Sequence, residues 1–414
     1  MAVPNNILQQ VQTYQMSNLA YLQNLNCFVA TANTRFKNFE KLTANLGDTV
    51  TFDLPPRFTV AQSLVATFQA ADQRVANLVV DKAINISYAF TAQQFIFNVE
   101  DYMEKFGKSA VMEMSASIES DVAEVCVTEP YRFFGDGVTQ INSFGQLAAA
   151  LAMFRNYGSA KDNTKFYLSD IAQSQIVSTG LNQFVPGRND KMAMSWEVGD
   201  FDRASFYISN LLPVHIAGDV GQTGAVLTVL SVTYDADGAV ITITFSGASA
   251  TDPTAVLKYD KFQFSDGVAG FNNLRYLTFI GHKTSNNPVQ FRALSDAASD
   301  GAGHVTVSVY PPLQAASGNT QNLNFAIQAG MQVTALPSHR AGMITGGNPL
   351  FLAMPMLPEE VPFPTANETD PDTAVSLRMY YGSLFGQNQR GMVHDCIWGK
   401  RAVPEYLMSI IFPL

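Results

Sequence analysis

Charged side chains make up only 14% of this 414-residue sequence, against about a quarter in an average globular chain. With 47% hydrophobic residues beside that deficit, the chain is expected to cover much of its surface with partners, copies of itself among them. Basic clusters are missing too. The 25 Lys and Arg are scattered among 35 Asp and Glu, for a formal net charge of −10. Tight nucleic-acid binding needs several phosphates neutralised together, so specific DNA or RNA recognition is not expected. Cysteine is sparse: Cys27, Cys126 and Cys396 form no CxxC pair. An odd, scattered set argues against a disulfide framework and for a reducing compartment of assembly. No apolar run approaches the roughly 18 residues of a membrane span, and the apolar tail Tyr406 to Leu414 is too short. The start, Met-Ala-Val-Pro-Asn-Asn, lacks the basic and apolar regions of a secretory signal.

Catalytic and metal-binding signatures are equally scarce. His215, His282, His304, His339 and His394 show no HxxxH, HExxH or Cys/His ligand spacing. There is no GxSxG, Walker loop or GxGxxG, and the glycine-rich Gly342 to Gly347 lacks the P-loop lysine. Glu359, Glu360, Asp370 and Asp372 cluster near prolines without EF-hand spacing, which favours a solvated acidic loop over a calcium site. Asp296 and Asp300 read as a loop in the same way. His394-Asp395 is the most enzyme-like pair, but neighbours on a strand point to opposite faces. No enzyme, cofactor or metal site is expected.

What is present is architectural. Val99, Met103, Phe106, Ala110, Met114, Ile118, Val122 and Val125 recur every three or four residues. They predict one helix from Asn98 to Glu129, roughly 30 residues or 45 Å long. Asn98 can cap it, and Glu100 and Asp101 suit the positive end of its dipole. Before it, Thr49 to Asp53 and Val75 to Ala89 have strand composition. Pro55 and Pro56 keep the segment between them extended and out of any central strand. The whole reads as a long two-stranded arm, either resting on a neighbour or packed on its own domain.

Residues 5–28 carry a loosely periodic helical pattern. Further helices are expected at Ser143 to Tyr157 and, capped by Ser169-Asp170, at Ile171 to Ser178. Strands are expected at Lys165 to Leu168 and within Glu197 to Ile208. From Gly218 to about Ala335 the pattern is almost pure β, with strands at Ala225 to Tyr234, Ala239 to Phe245, Lys261 to Phe264, Val289 to Ala293 and Val305 to Tyr310. Asp235 to Gly238 supplies a hairpin turn. Such short, regularly spaced strands predict an inserted barrel or sandwich. Leu350 to Met356 is strand-like, and a Pro-rich stretch follows it. Val375, Leu377, Met379 and Tyr381 then alternate, as do Met392, His394, Cys396 and Trp398, predicting late strands that rejoin an earlier sheet.

The order of these parts resembles the tailed-phage major capsid proteins of the Hong Kong ninety-seven phage fold. It is most similar to the branch typified by the coat protein of the Salmonella short-tailed temperate phage, which carries an inserted β domain. The stretches that carry the resemblance are Gly47 to Val60, Val80 to Phe90, Val198 to Ala217, His339 to Leu350 and Arg390 to Gly399. His339-Arg340 is followed by Ala-Gly, where the family more often has an acidic or helical residue, and the first 45 or so residues show no clear match. The resemblance implies an α+β capsid fold. Its parts are an N-terminal arm (1–46), an extended loop hairpin (47–97), a spine helix with peripheral domain (98–165), an axial domain (166–217), an inserted barrel-like β domain (218–336) and a return to the axial and peripheral domains (337–414). It implies self-association into hexamers and pentamers, and a shell enclosing double-stranded DNA without sequence-specific contact. A scaffolding protein and a portal are the implied partners, assembly taking place in the bacterial host cytoplasm with no membrane. The subunit interface would fall on the extended loop, at Asp53, Pro55, Pro56, Arg57, Phe58, Asp81 and Lys82. The strand Val80 to Phe90 would lie over the adjacent subunit. Nothing marks Lys82, the one lysine of that loop, as a crosslinking residue. The rival readings are an encapsulin-like compartment, a tail-fibre or carbohydrate-binding protein, and, last, an enzyme.

Overall fold

The computed structural model describes residues 27–34, 47–53, 58, 75–91, 108–158, 163–180, 204–265, 273–360, 363, 365–369, 375–383 and 389–414. The expected helix at 5–28 lies outside this set, apart from its last two positions. The expected helix start at 98–107 lies outside as well. The chain divides into two compact units, one made of residues 1–54, 74–123 and 348–402, the other of 55–73, 124–347 and 403–414. The segment 337–414 is divided between the units, 337–347 and 403–414 lying in the second and 348–402 in the first.

In the first unit, strand β1 (Thr49–Asp53) pairs antiparallel with β2 (Val75–Val79), from Thr49↔Val79 to Asp53↔Val75. The next strand, β3 (Lys82–Thr91), does not continue that hairpin. Val80 is buried, and Asp81 follows as a single exposed turn residue. β3 then joins a mostly late-sequence sheet of β17 (Leu350–Ala353), β18 (Thr365–Thr369), β19 (Ser376–Ser383) and β20 (Gln389–Ala402). The expected late alternation lines one face of this sheet: Leu377, Met379, Met392, His394, Cys396 and Trp398 are buried. Gly399 lies where β2 crosses β20, and a Cβ there would collide with the Val79 carbonyl. A short helix, α1 (Phe28–Thr31), and the longer α2 (Lys108–Ala123) complete the unit. Val111, Met114, Ile118 and Val122 form the buried stripe of α2. The long helix is interrupted at Glu124, where the chain leaves this unit, and resumes only as α3 (Val125–Thr128).

The second unit is built on a six-stranded mixed sheet. Its order is β4 (Phe133–Phe134), β21 (Leu407–Phe412), β16 (His339–Thr345), β5 (Thr164–Leu168) and β6 (Ala204–Ile208), with β7 (Val214–His215) paired to the start of β16. Helices α4 (Phe144–Asn156) and α5 (Asp170–Gly180) bury Leu147, Leu151, Phe154, Ala172 and Ile176 against Phe166, Ile344, Met408 and Ile410. Ser143 caps α4 by accepting the Gln146 N–H, and the Ser169 hydroxyl accepts the Ala172 N–H at the start of α5.

Between β7 and β16 the chain forms a closed antiparallel barrel. In order round the wall its strands are β10 (Lys261–Phe264), β13 (Gln290–Ala293), β14 (His304–Leu313), β9 (Val240–Ser246), β8 (Val226–Tyr234) and β15 (Gln332–Ala335). Closure leaves no free edge. The interior is apolar and aromatic, with Phe245, Phe262 and Phe291 stacked at centroid distances of 6.3, 5.2 and 6.3 Å. The segments entering and leaving the barrel are neighbours, since His215 faces His339 and Val214 faces Arg340 across an antiparallel bridge. An element inserted at adjacent strand positions leaves the parent sheet intact.

Candidate functional site

Of the expected interface residues, Pro55, Pro56 and Arg57 lie outside the described set. Asp53 ends β1, opposite Val75. Phe58, in the second unit, is 56% exposed. On the hairpin, Leu78 and Phe52 face inward, Phe52 against Phe351 at 4.3 Å. Val75 and Val79 point outward at 52% and 41% exposure. Asp81 is exposed at the junction before β3.

Lys82 opens β3, with its Nζ 3.9 Å from an Asp121 carboxylate oxygen and its side chain 44% exposed. Asp121 is mainly held by others. Trp398 Nε1–H donates to its carboxylate at 2.8 Å, and Lys400 Nζ lies 2.9 Å from that carboxylate while also donating to the Asp121 carbonyl. The exposed Lys82 pair adds little to stability, so the Lys82 ammonium remains available at the surface.

Val80 to Phe90, expected to lie over a neighbour, is also paired within its own chain. β3 is bonded along one edge to β20 of its own chain, from Gln389↔Thr91 to Trp398↔Lys82. The alternation favours this, because Ile84, Ile86 and Tyr88 are the more covered positions and Ala83, Asn85, Ser87 and Ala89 the exposed ones. Among the described residues, no strand pairs with the other edge of β3. An unpaired edge of this length is a template for strand addition.

On the open face of the same sheet, Asn85, Asp395 and Arg378 form one cross-strand row and Ser87, Val393 and Tyr380 the next. They line a shallow groove of about 470 Å³. Arg378 holds Asp395 with two parallel bonds, Nε–H at 2.9 Å and Nη2–H at 2.5 Å, and donates to the Pro358 carbonyl at 2.6 Å. Bonding to Asp395 raises the guanidinium further above its ordinary value. The pair is an internal brace, and sequence spacing gives no sign of it.

The histidines are structural. His394 is buried on the opposite face from Asp395, with Nε2 3.3 Å from the Tyr88 hydroxyl, and burial pushes it down to about 4. His215 Nε2–H donates to Asp260 at 2.8 Å, and the other oxygen of Asp260 accepts the Gly218 and Leu257 N–H groups. That carboxylate is saturated and out of solvent, so it cannot serve a substrate. His339 donates Nδ1–H to the Pro337 carbonyl, leaving Nε2 buried without a partner, and burial lowers it to about 3. His304 and Asp300 form an exposed pair at 3.1 Å. Among the described residues, no three His, Cys, Asp or Glu side chains gather as a metal site. No helix among them is long and apolar enough to cross a membrane.

Several buried charged or amide side chains hold distant segments together, and none has a local signal in the sequence. Glu119 of α2 accepts the N–H groups of Cys27, Phe28 and Val29 at 2.8, 2.7 and 3.2 Å, capping α1 from outside. Burial raises its carboxyl above the ordinary value, partly offset by those bonds. Arg132 donates to the Glu405 and Leu407 carbonyls and stacks 4.0 Å from the Tyr157 ring centre. Lys261, on the barrel, donates to Ser409 Oγ of the sheet at 2.5 Å. Gln290 of β13 bonds both backbone groups of Phe133 at 2.9 Å, as a strand neighbour would.

No family profile matches the sequence, and no curated protein matches it. Among solved structures, the chain is similar to one from Mycobacterium phage Che8 at 8% identity and a TM-score of 0.47, over 93% of this chain and 90% of that chain. It is similar to the capsid of Ralstonia phage GP4 at 8% identity and 0.43, over 90% and 85%. A virus-like particle from Pyrococcus furiosus is similar at 5% identity and 0.41, over 97% and 98%.

Proposed function

We propose that this chain is a major capsid protein, a non-enzymatic subunit that assembles into the icosahedral shell of a tailed bacteriophage. One observation carries the reading: the chain order. A hairpin leads into a strand at the sheet edge, a helix of 16 residues follows, then a mixed sheet with a closed barrel inserted at adjacent strands, and late strands return to complete both units. That is the order of parts the resemblance to the capsid family implies. The geometry also supports assembly over catalysis, because among the described residues the histidines and most acids are buried or paired, no strand pairs with the second edge of β3, and Val75 and Val79 are exposed.

In this reading the hairpin arm, with Asp53, Pro55, Pro56, Arg57, Phe58, Asp81 and Lys82, meets a neighbouring subunit. Apolar burial at about 25 cal/mol per Å² makes each contact weak, and repetition around the shell makes the sum large. Hexamers and pentamers enclose double-stranded DNA without reading its sequence, and a scaffolding protein and a portal assist. The barrel (218–336) acts as a folding core or as a contact between neighbouring capsomers, and the N-terminal arm (1–46) is the segment that moves during shell maturation or meets the scaffolding protein.

The test is negative-stain electron microscopy with sedimentation, on the chain expressed alone and with its neighbouring gene. Closed shells tens of nanometres across are expected, and a discrete small oligomer in both preparations overturns the reading. Deleting Pro55 to Thr59 should leave a folded subunit that fails to close shells, and normal particles from that variant refute the role given to the arm.

A further inference from the structure

Both covalent connections between the mixed sheet and the barrel pass through one short joint. The chain enters at β7 and leaves at the start of β16, and the two are bridged side by side, His215 facing His339 and Val214 facing Arg340. On the sheet side, Ala341 N–H donates to the Pro213 carbonyl at 3.0 Å. On the barrel side, side chains take over: the Ser338 hydroxyl accepts the Ala217 N–H at 3.0 Å, and Asp260 accepts the Gly218 N–H at 3.1 Å.

At the centre of the joint the two imidazoles lie 5.4 Å apart between ring centres. His339 is 0% exposed and His215 8%. They are not equally served. His215 Nε2–H has the Asp260 carboxylate at 2.8 Å. His339 spends its Nδ1–H on the Pro337 carbonyl at 2.7 Å, and its Nε2 has no partner. A neutral ring tolerates an unpaired lone pair there. A proton at Nε2 would place a second N–H, and a full charge, where no acceptor stands.

The groups facing His339 do not offset that charge. From β7 it meets His215, whose carboxylate partner already takes the Gly218 and Leu257 N–H groups. From β10 it meets the charge of Lys261, a like charge. β21, Leu-Met-Ser-Ile-Ile-Phe, carries no ionisable side chain, and β5 meets β16 only from Met343 to Thr345. Arg340, the next residue along β16, alternates to the opposite face. Burial, followed by the Lys261 charge, lowers His339 to about 3. The ring therefore accepts a proton readily only once it has left the joint for water.

The barrel wall does not depend on this bridge. Its six strands close on one another without β7 or β16. Gln290 and Lys261 dock it to Phe133 and Ser409 independently. We propose that the His215–His339 bridge is a proton-operated latch: protonation of His339 at Nε2 expels its ring and parts β7 from the start of β16, while the barrel wall stays closed. The latch acts within one subunit, whatever the chain assembles into.

The experiment is hydrogen exchange of the full chain, as unassembled subunit, read by mass spectrometry and expressed as protection factors. The joint is followed in 213–219 and 337–342, and the barrel wall in 241–246 and 304–309. With an ordinary histidine value of about 6.5 in the open state, joint protection in the parent should fall about 30-fold between about pH 7.5 and about pH 5. Protection of the wall should hold. His339→Gln keeps a donor for the Pro337 carbonyl and His339→Phe keeps a ring; their melting temperatures at neutral pH check folding, and neither should show the acid-specific loss. Equal joint protection at the two pH values in the parent overturns the proposal. So does a loss shared equally by the wall, which reports unfolding of the whole unit. A loss that the variants retain also overturns it, because the proton then acts elsewhere.

Discussion

Lys261 gives a quantitative test of how the barrel is joined to its sheet. The side chain is fully buried, and burial, followed by the charge of Arg292, lowers its ammonium from 10.5 to about 7. In the unfolded chain the lysine keeps its proton to about 10.5, whereas the folded state holds about half a proton near pH 7 and almost none at pH 9. The unfolded state binds more protons throughout this window, so stability must rise with pH. Integrating the proton difference gives about 2 kcal/mol between pH 7 and pH 9, and about 4 kcal/mol by pH 10.5. Lys261→Met removes the titration at similar volume. It strands no donor, because the Ser409 hydroxyl can still donate to the Cys126 carbonyl at 2.7 Å. After about 1 to 2 kcal/mol for the lost hydrogen bonding, the variant should be the more stable protein near pH 7 by roughly 2 kcal/mol, the gap closing toward pH 9. Urea unfolding of unassembled subunits across that range measures the gap, and hydrogen exchange within 226–335 locates it. A gap independent of pH, or a variant less stable at neutral pH, refutes the reasoning.

Three further outcomes follow from individual contacts. Glu119→Ala should leave the Cys27, Phe28 and Val29 amides without their acceptor at a cost of about 1 to 3 kcal/mol, read as a loss of exchange protection at those amides; unchanged protection would remove Glu119 from the account. Acid should weaken the subunit, because His394 and His339, at about 4 and about 3 in the fold, bind fewer protons folded than unfolded. Stability should fall as pH drops below about 6.5, by on the order of 3 kcal/mol through His394 and 5 kcal/mol through His339; His394→Phe should flatten its share of the urea-midpoint profile, and an unaltered profile would refute the assignment. Gly399→Ala should force β2 away from β20 at a cost of about 1 to 3 kcal/mol, lowering the urea midpoint seen by Trp398 fluorescence; an unchanged midpoint would show that the crossing yields freely.

What the sequence reveals of the fold tracks how much of each element is buried on one side. In β14, Val305, Val307 and Val309 are buried and Thr306 and Ser308 less so, and alternation alone marks that strand. The same holds for Met392 to Trp398. β12 (Thr284–Pro288) escapes notice because Thr-Ser-Asn-Asn-Pro has no apolar alternation. It is held by pairing with β11 (Arg275–Leu277), whose register slips by a bulge. Expecting one helix through Glu129 overreaches, because the apolar stripe does continue through Val125 and only the handover between units breaks it. Periodicity names a buried face and never the partner that covers it, so the union of Lys82–Thr91 with Gln389–Ala402, some three hundred residues apart, is invisible to it.

The surface reading suffers from the same blindness to partners. Composition and turn chemistry suggest an extended arm, but not that β3 spends one edge on β20 of its own chain while no strand among the described residues pairs with the other. The scarcity of charge has a second meaning, visible only in three dimensions. Glu119 joins α1 to α2, Lys261 joins the barrel to the closing strand, and Arg132 joins the β4 turn to the residues before β21. Each is buried at a junction between segments that are far apart in sequence. A buried charge left without its partner is costly, so a misdocked segment would strand one of these groups where an apolar contact would merely slide. That penalty favours one docking geometry over its near neighbours, and, on the proposed capsid role, it makes the junction charges, more than the apolar core, the positions where conservative replacement should disturb assembly first.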